Sequence, residues 1–336
     1  MHLYIYNDII KKERTIIMKT KSRTKISLAL LLSLVMLFSV MTPMMSVVAS
    51  AIEVNLENVG SNTKLTSKTD YAVAPGITES HLITHNKDGS NQVQAYALEI
   101  DLSNPNVGLI ASYKDYMNDL APTPTWGMQT VRDQAVAAEN YHKNTLNKPN
   151  FEIVGGVNCD FFNMQTGEPT GSLVMNGVKY KDTSRSYFAI LDDGSAVIGS
   201  GEIPANAVEV VGGEVMLVQN GVVNPNIKGN LDKFPRTSIG LTADGKVILV
   251  TADGRQAPAS CGQTFEENAQ QMLSLGCVTA LQVDGGGSAT LVSQREGETA
   301  LSVRNSPSDG TERTVSTALL VYSNLSSGRS TSSTAR

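Results

Sequence analysis

The segment Gln282-Val283-Asp284-Gly285-Gly286-Gly287-Ser288 stands between two apolar runs, Val278–Val283 and Ala289–Val292, that read as strands. Three successive glycines let a backbone turn tightly and let a ligand come close to its amides. An acid just before them and a hydroxyl just after them would stand at the rim of that turn. The plainer reading is a hairpin loop in which the glycines supply positive φ and Asp284 caps the turn. On either reading the chemistry, if any, is carried by a strand–turn–strand unit. The rest of the chain has to say which reading holds.

Working outward, short β-type runs dominate from Tyr71 onward, among them Gln94–Leu102, Val107–Ser112, Phe151–Phe161 and Glu209–Leu217. Turn signals such as Asn104-Pro105-Asn106 separate them. Ser186–Ile190 and Ala196–Ile198 pair around Asp192-Asp193-Gly194, and Thr237–Leu241 and Val247–Thr251 pair across Asp244-Gly245. Val315–Tyr322 reads as a final strand. Two helices interrupt the strands. Val131–Leu146 carries Val131, Ala135, Ala138 and Tyr141 on one face. The second opens with a capping box, Thr264 with Glu267, shows Phe265, Ala269, Met272 and Leu273 as its apolar stripe, and ends at Gly276. The expected fold is α+β: a single sheet-dominated domain over residues 75–323 with a few flanking helices. Residues 52–74 read as a polar, flexible lead-in. Residues 324–336 form a Ser/Thr-rich tail too polar to pack, expected to be disordered.

The first fifty-one residues have another purpose. Lys19, Lys21, Arg23 and Lys25 precede an apolar run from Ile26 to Val40, and Ala49-Ser50-Ala51 offers a small-x-small cleavage site. That order is a secretory signal peptide, with Met18 as the expected true start and cleavage after Ala51. The alternative is retention as an N-terminal anchor, although the run is shorter than the ~20 residues of a spanning helix. A secreted or cell-envelope-associated protein with no membrane span after cleavage follows. Residues 1–51 hold seven basic and two acidic side chains, so the remainder has 20 Lys+Arg against 30 Asp+Glu, a formal charge of −10. Such acidity argues against nucleic-acid or anionic-membrane partners, while leaving room for a local basic pocket. Cys159, Cys261 and Cys277 build no disulfide framework and are expected to be buried free thiols. His81, His85 and His142 show no metal-ligand spacing, so no metal and no cofactor is expected. A calcium site of oxygen ligands near Asp160 or Asp284 is the alternative left open.

Four polar segments fall at the ends of apolar runs: Asn158-Cys159-Asp160-Phe161-Phe162-Asn163, Thr166-Gly167-Glu168-Pro169-Thr170-Gly171, Arg236-Thr237-Ser238-Ile239-Gly240 and Asp284-Gly285-Gly286-Gly287-Ser288. A fifth, Arg304-Asn305-Ser306-Pro307 with Glu312-Arg313-Thr314-Val315, precedes the last strand. In this order, from about residue 75 to 322, they resemble the phosphodiester glycosidase family. Each motif is weak alone; the ordered set is specific. The resemblance implies export and a hydrolase acting on sugars linked through an anomeric phosphate. Two positions depart from the family pattern. Asp160 stands where members often have glycine, which makes it a less secure catalytic residue than Asp284, and Arg313 precedes threonine where proline is common.

Such a reaction develops oxocarbenium-like charge at the sugar, which a carboxylate stabilises or attacks. The phosphate leaving group needs positive charge and N–H donors more than it needs a strong acid. Asp284 is therefore assigned to the anomeric centre or to water activation, with Asp160 as its partner and Arg236 on the phosphate. Arg313 would bind the same phosphate, Gly285, Gly286 and Gly287 would offer an amide nest, and Ser288 a hydroxyl. Asn158 and Asn305 would orient sugar hydroxyls or an acetamido group. The expected substrate is an N-acetylglucosamine-like sugar on a phosphodiester of a glycan or envelope polymer. Plainer readings stand beside these: Arg236 and Arg313 as surface ion-pairing residues, Phe161 and Phe162 as core and pocket wall, and Glu168 as solvated. Two rival functions remain, a non-catalytic wall- or glycan-binding module and a phosphodiesterase cutting the P–O bond.

Overall fold

The computed structural model describes residues 60, 62–116 and 124–324, all within one compact unit spanning Asn55–Arg336. The expected signal peptide and the tail beyond Asn324 lie outside the described residues. Strands run in chain order as β1 (Thr63–Ala74), β2 (Ile77–Asn86), β3 (Val93–Ile100), β4 (Val107–Tyr113), β5 (Glu152–Asn158) and β6 (Leu173–Met175). There follow β7 (Val178–Lys181), β8 (Ser186–Leu191), β9 (Ala196–Ser200), β10 (Ala207–Gly213), β11 (Val215–Gln219) and β12 (Val222–Val223). The last are β13 (Arg236–Thr242), β14 (Val247–Ala252), β15 (Cys277–Gln282), β16 (Leu291–Ser293), β17 (Ser302–Val303) and β18 (Thr317–Ser323). They form an eight-stranded sheet β1-β2-β3-β14-β13-β15-β11-β12 and two five-stranded sheets, β17-β16-β5-β18-β4 and β7-β6-β10-β8-β9. Two α-helices, α1 (Val131–Asn140) and α2 (Phe265–Ser274), flank them. The fold is sheet-dominated α+β.

All three sheets contribute to one core. Leu98, Ile239 and Leu249 of the large sheet join Val157 and Leu319 of the second and Met175 and Phe188 of the third. Close approach is enforced on β5 at Gly155, where a Cβ would stand 2.8 Å from Leu98 Cδ1. A second core under α2 is closed by Ala269 and Met272 with Ile248 and Val250. The capping box of α2 is complete: Glu267 N–H donates to Thr264 Oγ1 (3.1 Å) and Thr264 N–H to Glu267 Oε2 (2.9 Å).

Three expectations are corrected. The lead-in read over 52–74 contains β1, whose register with β2 sets Tyr71 opposite Glu79. As an edge strand, β1 leaves Lys64, Lys68 and Asp70 exposed and is interrupted by two register shifts, so its alternation was hidden. The first helix ends its α-geometry at Asn140 and finishes in a π-helical turn, Tyr141–Thr145. Most important, the glycine turn is not a hairpin. Strand β15 lies in the large sheet and β16 in the second, so residues 283–290 carry the chain from one sheet to another. Both hairpins expected at Asp193-Gly194 and Asp244-Gly245 form, with Phe188 opposite Ile198 and Leu241 opposite Val247.

Buried Glu209 of β10 joins the second and third sheets. Its Oε2 accepts from Ala111 N–H (2.9 Å) on β4 and its Oε1 from Asn176 N–H (3.0 Å) after β6. Burial pushes its pKa up to about 8 against the opposing pull of those two donors. A carboxyl whose pKa is raised by folding keeps its proton in the native state after the unfolded chain has released it. Stability is therefore fullest below the unfolded value and falls as pH climbs toward 8, by up to ~1.4 kcal/mol per pH unit. Thermal unfolding between about pH 5 and 8 should show Tm decreasing with pH. The decrease should be shallower in Glu209→Gln, which also loses an acceptor for one of the two amides. Parallel Tm–pH curves for the two proteins would refute this role.

Candidate active site

Asp284, Gly285, Gly286, Gly287, Arg236 and Arg313 converge on one open cleft of about 420 Å³. Phe161, Phe234, Arg255 and Gln282 complete its wall. A larger depression of about 510 Å³ beside α1 holds none of the site residues assigned from the sequence. The cleft lies where β13 begins, where β15 ends, and where the chain passes between sheets.

Asp284 follows β15, half-buried. Its N–H donates to Cys159 O (2.8 Å), and its Oδ1 accepts from Gly285 N–H (2.8 Å). Burial raises its pKa to about 6, against the lowering effect of the Ser288 hydroxyl, the Gly285 amide and the charge of Arg313, while Asp160 pushes it up further. A carboxyl so tuned is largely ionised at neutral pH yet remains basic, which suits a base or nucleophile.

Arg236 is not a surface residue: only 5% of it is exposed. Its Nε donates to Gln263 O (3.0 Å) and its Nη2 to Asp232 O (3.1 Å), with its guanidinium 4.2 Å from the Phe265 ring centroid. Burial lowers its pKa to about 10, which leaves it charged at neutral pH. Arg313 is held by Asp309, with Nε–Oδ2 2.7 Å and Nη2–Oδ2 2.6 Å, and reaches Ser288 Oγ from Nη1 (3.4 Å).

The third arginine, Arg255, escaped the sequence reading. It sits at φ +60°, an uncommon conformation for a residue with a side chain, and lies against Gly286. Its signal was present: Asp253-Gly254-Arg255 follows the apolar run of β14 as Asp284-Gly285 follows β15. Gln282 was also passed over. It is 1% exposed, lines the cleft, and its buried Oε1 has no hydrogen-bond partner.

Other assignments change. The amide nest is mostly filled from within, since Gly285 N–H serves Asp284 and Gly286 N–H donates to Pro235 O (2.9 Å). The glycines instead make room: a Cβ on Gly285 would lie 2.5 Å from Pro235 O, and one on Gly287 would collide with Arg313 and Asp309. Asn158 is fully buried and cannot meet a sugar. Its Nδ2 donates to Asp284 O (2.7 Å), and its Oδ1 accepts from Thr237 Oγ1 (2.8 Å) and Thr290 N–H (3.0 Å). Asn305 is likewise committed, donating to Asp253 Oδ1 and Ala289 O (both 3.0 Å) and accepting from Leu291 N–H (2.9 Å). Asp160 is 1% exposed and lies behind the cleft wall. Its carboxylate accepts from Gly171 N–H and from Thr170 Oγ1 (3.1 Å), and burial raises its pKa. It acts on Asp284 through charge rather than as a second carboxylate facing substrate. Ser288 is fully buried beneath Asp284 and Arg313.

Cys159, Cys261 and Cys277 are all free thiols, although Cys261 is only half-buried. Among the described residues no group of three His, Cys, Asp or Glu side chains could hold a metal.

A cleft lined by one carboxylate and three guanidiniums suits an anionic ligand. The phosphodiester glycosidase family matches residues 151–322, just over half of the chain, and this chain belongs to that family. Mouse N-acetylglucosamine-1-phosphodiester alpha-N-acetylglucosaminidase is 32% identical over 160 residues, 40% of this chain and 31% of that protein. An SPbeta prophage-derived uncharacterized protein of Bacillus subtilis is 31% identical over 174 residues, 46% of this chain and 26% of that one. The chain thus spans between a quarter and a third of these relatives' lengths. Among solved structures, a hypothetical protein from Synechocystis shares the fold at TM-score 0.59 and 16% identity, covering 76% of this chain and 64% of that one. The zebrafish catalytic domain of the same glucosaminidase, auto-inhibited by its pro-peptide, does so at TM-score 0.56 and 20% identity, with 78% and 88% covered.

Asn158→Ala would leave the Thr290 amide and the Asp284 carbonyl without their partner inside the protein. Two buried polar groups so orphaned should cost about 2–5 kcal/mol. Denaturant unfolding should show that loss, and a variant as stable as the parent would remove Asn158 from its structural role.

Proposed function

We propose that this protein is an exported hydrolase that releases an N-acetylglucosamine-like sugar from an anomeric phosphodiester in a glycan or cell-envelope polymer. The observation that carries this reading is the single cleft carboxylate, Asp284, facing Arg236, Arg255 and Arg313. The mouse and zebrafish relatives are named as N-acetylglucosamine-1-phosphodiester glucosaminidases, and shared family membership supports the same substrate class here.

The chemistry follows from charge. The phosphodiester oxygens lie among the three guanidiniums, which oppose the negative charge gathering on the leaving phosphate as the C–O bond breaks. Asp284 faces the anomeric carbon, where it either attacks directly or takes a proton from the attacking water. Because the phosphate leaves as an already stable anion, no second carboxyl is needed to protonate it. This fits the withdrawn position of Asp160.

Asp284→Asn should lower turnover at least ~10²–10³-fold, about 3–4 kcal/mol, while leaving the fold and phosphate binding largely intact. Near-normal turnover would reduce Asp284 to a turn cap. In the parent, kcat/KM should rise with pH through an apparent pKa near 6, because Asp284 must be ionised to act. An activity maximum on the acid side of that value would contradict its role. Hydrolysis in isotopically labelled water, with products read by mass spectrometry, should place the label on the sugar. Label in the phosphate would assign the protein to P–O cleavage, and no turnover across a panel of sugar-1-phosphodiesters would favour a binding module.

A further inference from the structure

We propose that Phe234 is a positioning residue that holds Arg236 and Arg255 together as one anion-binding pair. The inference rests on reading the cleft as a phosphate site. Phe234 Cα belongs to a backbone clamped from three sides. Its N–H donates to Gln263 O (3.2 Å) and its carbonyl accepts from Gln263 N–H (3.0 Å). Gly262, at φ +89°, presses so closely that a Cβ there would lie 2.8 Å from Phe234 C and O. A Cβ on Gly254 would lie 2.9 Å from Phe234 C. No substituted residue fits either glycine position without displacing this backbone.

The side chain is treated in the opposite way. Phe234 is 37% exposed, a large apolar ring left open at the cleft wall beside a rigidly held main chain. Both guanidiniums lie over it, Arg236 at 5.4 Å and Arg255 at 5.0 Å from the ring centroid. Both distances fall within the ~6 Å reach of a cation–π contact. Arg236 spends its other donors on two backbone carbonyls, and neither arginine has an ion-pair partner among the described residues. Like charges repel: after burial, the charge of Arg255 lowers the Arg236 pKa, against the opposing pull of Asp232 and Glu214. The negative face of one ring offsets part of that repulsion and fixes the spacing of the pair before an anion arrives.

The test uses the full chain and inorganic phosphate, followed by calorimetry, with Phe234→Leu and Phe234→Tyr beside the parent. Leucine keeps apolar bulk without a π face, and tyrosine keeps the face. Phe234→Leu should bind phosphate roughly tenfold more weakly. Phe234→Tyr should bind within about twofold of the parent, and all three should unfold at similar temperatures. Equal phosphate affinity in Phe234→Leu and the parent would overturn the proposal. So would a defect confined to sugar-bearing ligands, which would make the ring a sugar platform. A lower Tm in Phe234→Leu with unchanged phosphate affinity would make it structural. Failure of the parent itself to bind phosphate at millimolar concentration would overturn the underlying anion site, an outcome distinct from the others.

Discussion

Three hydrogen bonds made by the buried side chain of Asn158, one donated and two accepted, tie together the segments that form the candidate site. They join the end of β5 to the Asp284 carbonyl, the Thr237 hydroxyl on β13 and the Thr290 amide beyond the glycine turn. These groups belong to two sheets, and the segment from β15 to β16 leaves one ladder and enters the other between them. Asn is suited to the junction because one amide supplies an N–H donor and an acceptor with two lone pairs at fixed separation. With the Asp284 carbonyl and amide pinned on opposite sides by Asn158 and Cys159, the carboxylate can project in only a narrow range of directions. Placement of the Asp284 carboxylate is thus a consequence of how two sheets are joined.

The cleft that results is electrostatically unfinished. Arg313 is neutralised by Asp309, but Arg236 and Arg255 have no comparable partner among the described residues. Arg236 is buried without an ion pair among the described residues, an arrangement that an anionic ligand would complete, and Arg255 is exposed beside it. The loops bearing these groups are tied by a buried acid outside the cleft. Asp253 accepts from Ser306 N–H (2.9 and 3.0 Å) and from Asn305 Nδ2 (3.0 Å), which links the loop of Arg255 to the one ending at Arg313. Burial raises the Asp253 pKa to about 6. Below that value the acid loses charge-assisted bonds, so loop geometry and Asp284 ionisation weaken over the same pH range.

The sequence made much of this visible, and the failures have physical causes. Hairpins with Asp-Gly turns and the Thr264–Glu267 helix start were legible because their determinants are local. Edge strand β1 was missed because an edge buries little and its polar residues conceal the period of two. The cleft residues Asp284, Arg236, Arg313 and the glycines were found because polar residues at the ends of apolar runs gather at one rim of stacked sheets. Asn158, Asn305 and Asp160 carry the same signature, but sequence cannot say whether a polar side chain faces the cavity or the junction behind it. Here all three face inward. Arg255 obeys the rule that found the others and was passed over because Asp253-Gly254 reads as an ordinary turn.

The inward-facing polar residues also explain how one carboxylate can suffice. In glycosidases whose leaving group is an alcohol, a second carboxyl must deliver a proton as the bond breaks. A phosphate leaving group would need no such proton, and in the proposed reaction its charge would be met by guanidiniums held on aromatic rings and backbone carbonyls. Asp160 is thereby free to serve from behind the wall. Its own charge helps keep the Asp284 pKa near the middle of the useful range, while the Gly171 amide and Thr170 hydroxyl secure it in place. Burial of the Asp284 carboxyl is the larger cause of its raised pKa, so the charge of Asp160 adds to that tuning and does not create it. The geometry therefore separates the part of the site that the reaction requires from the part that tunes it.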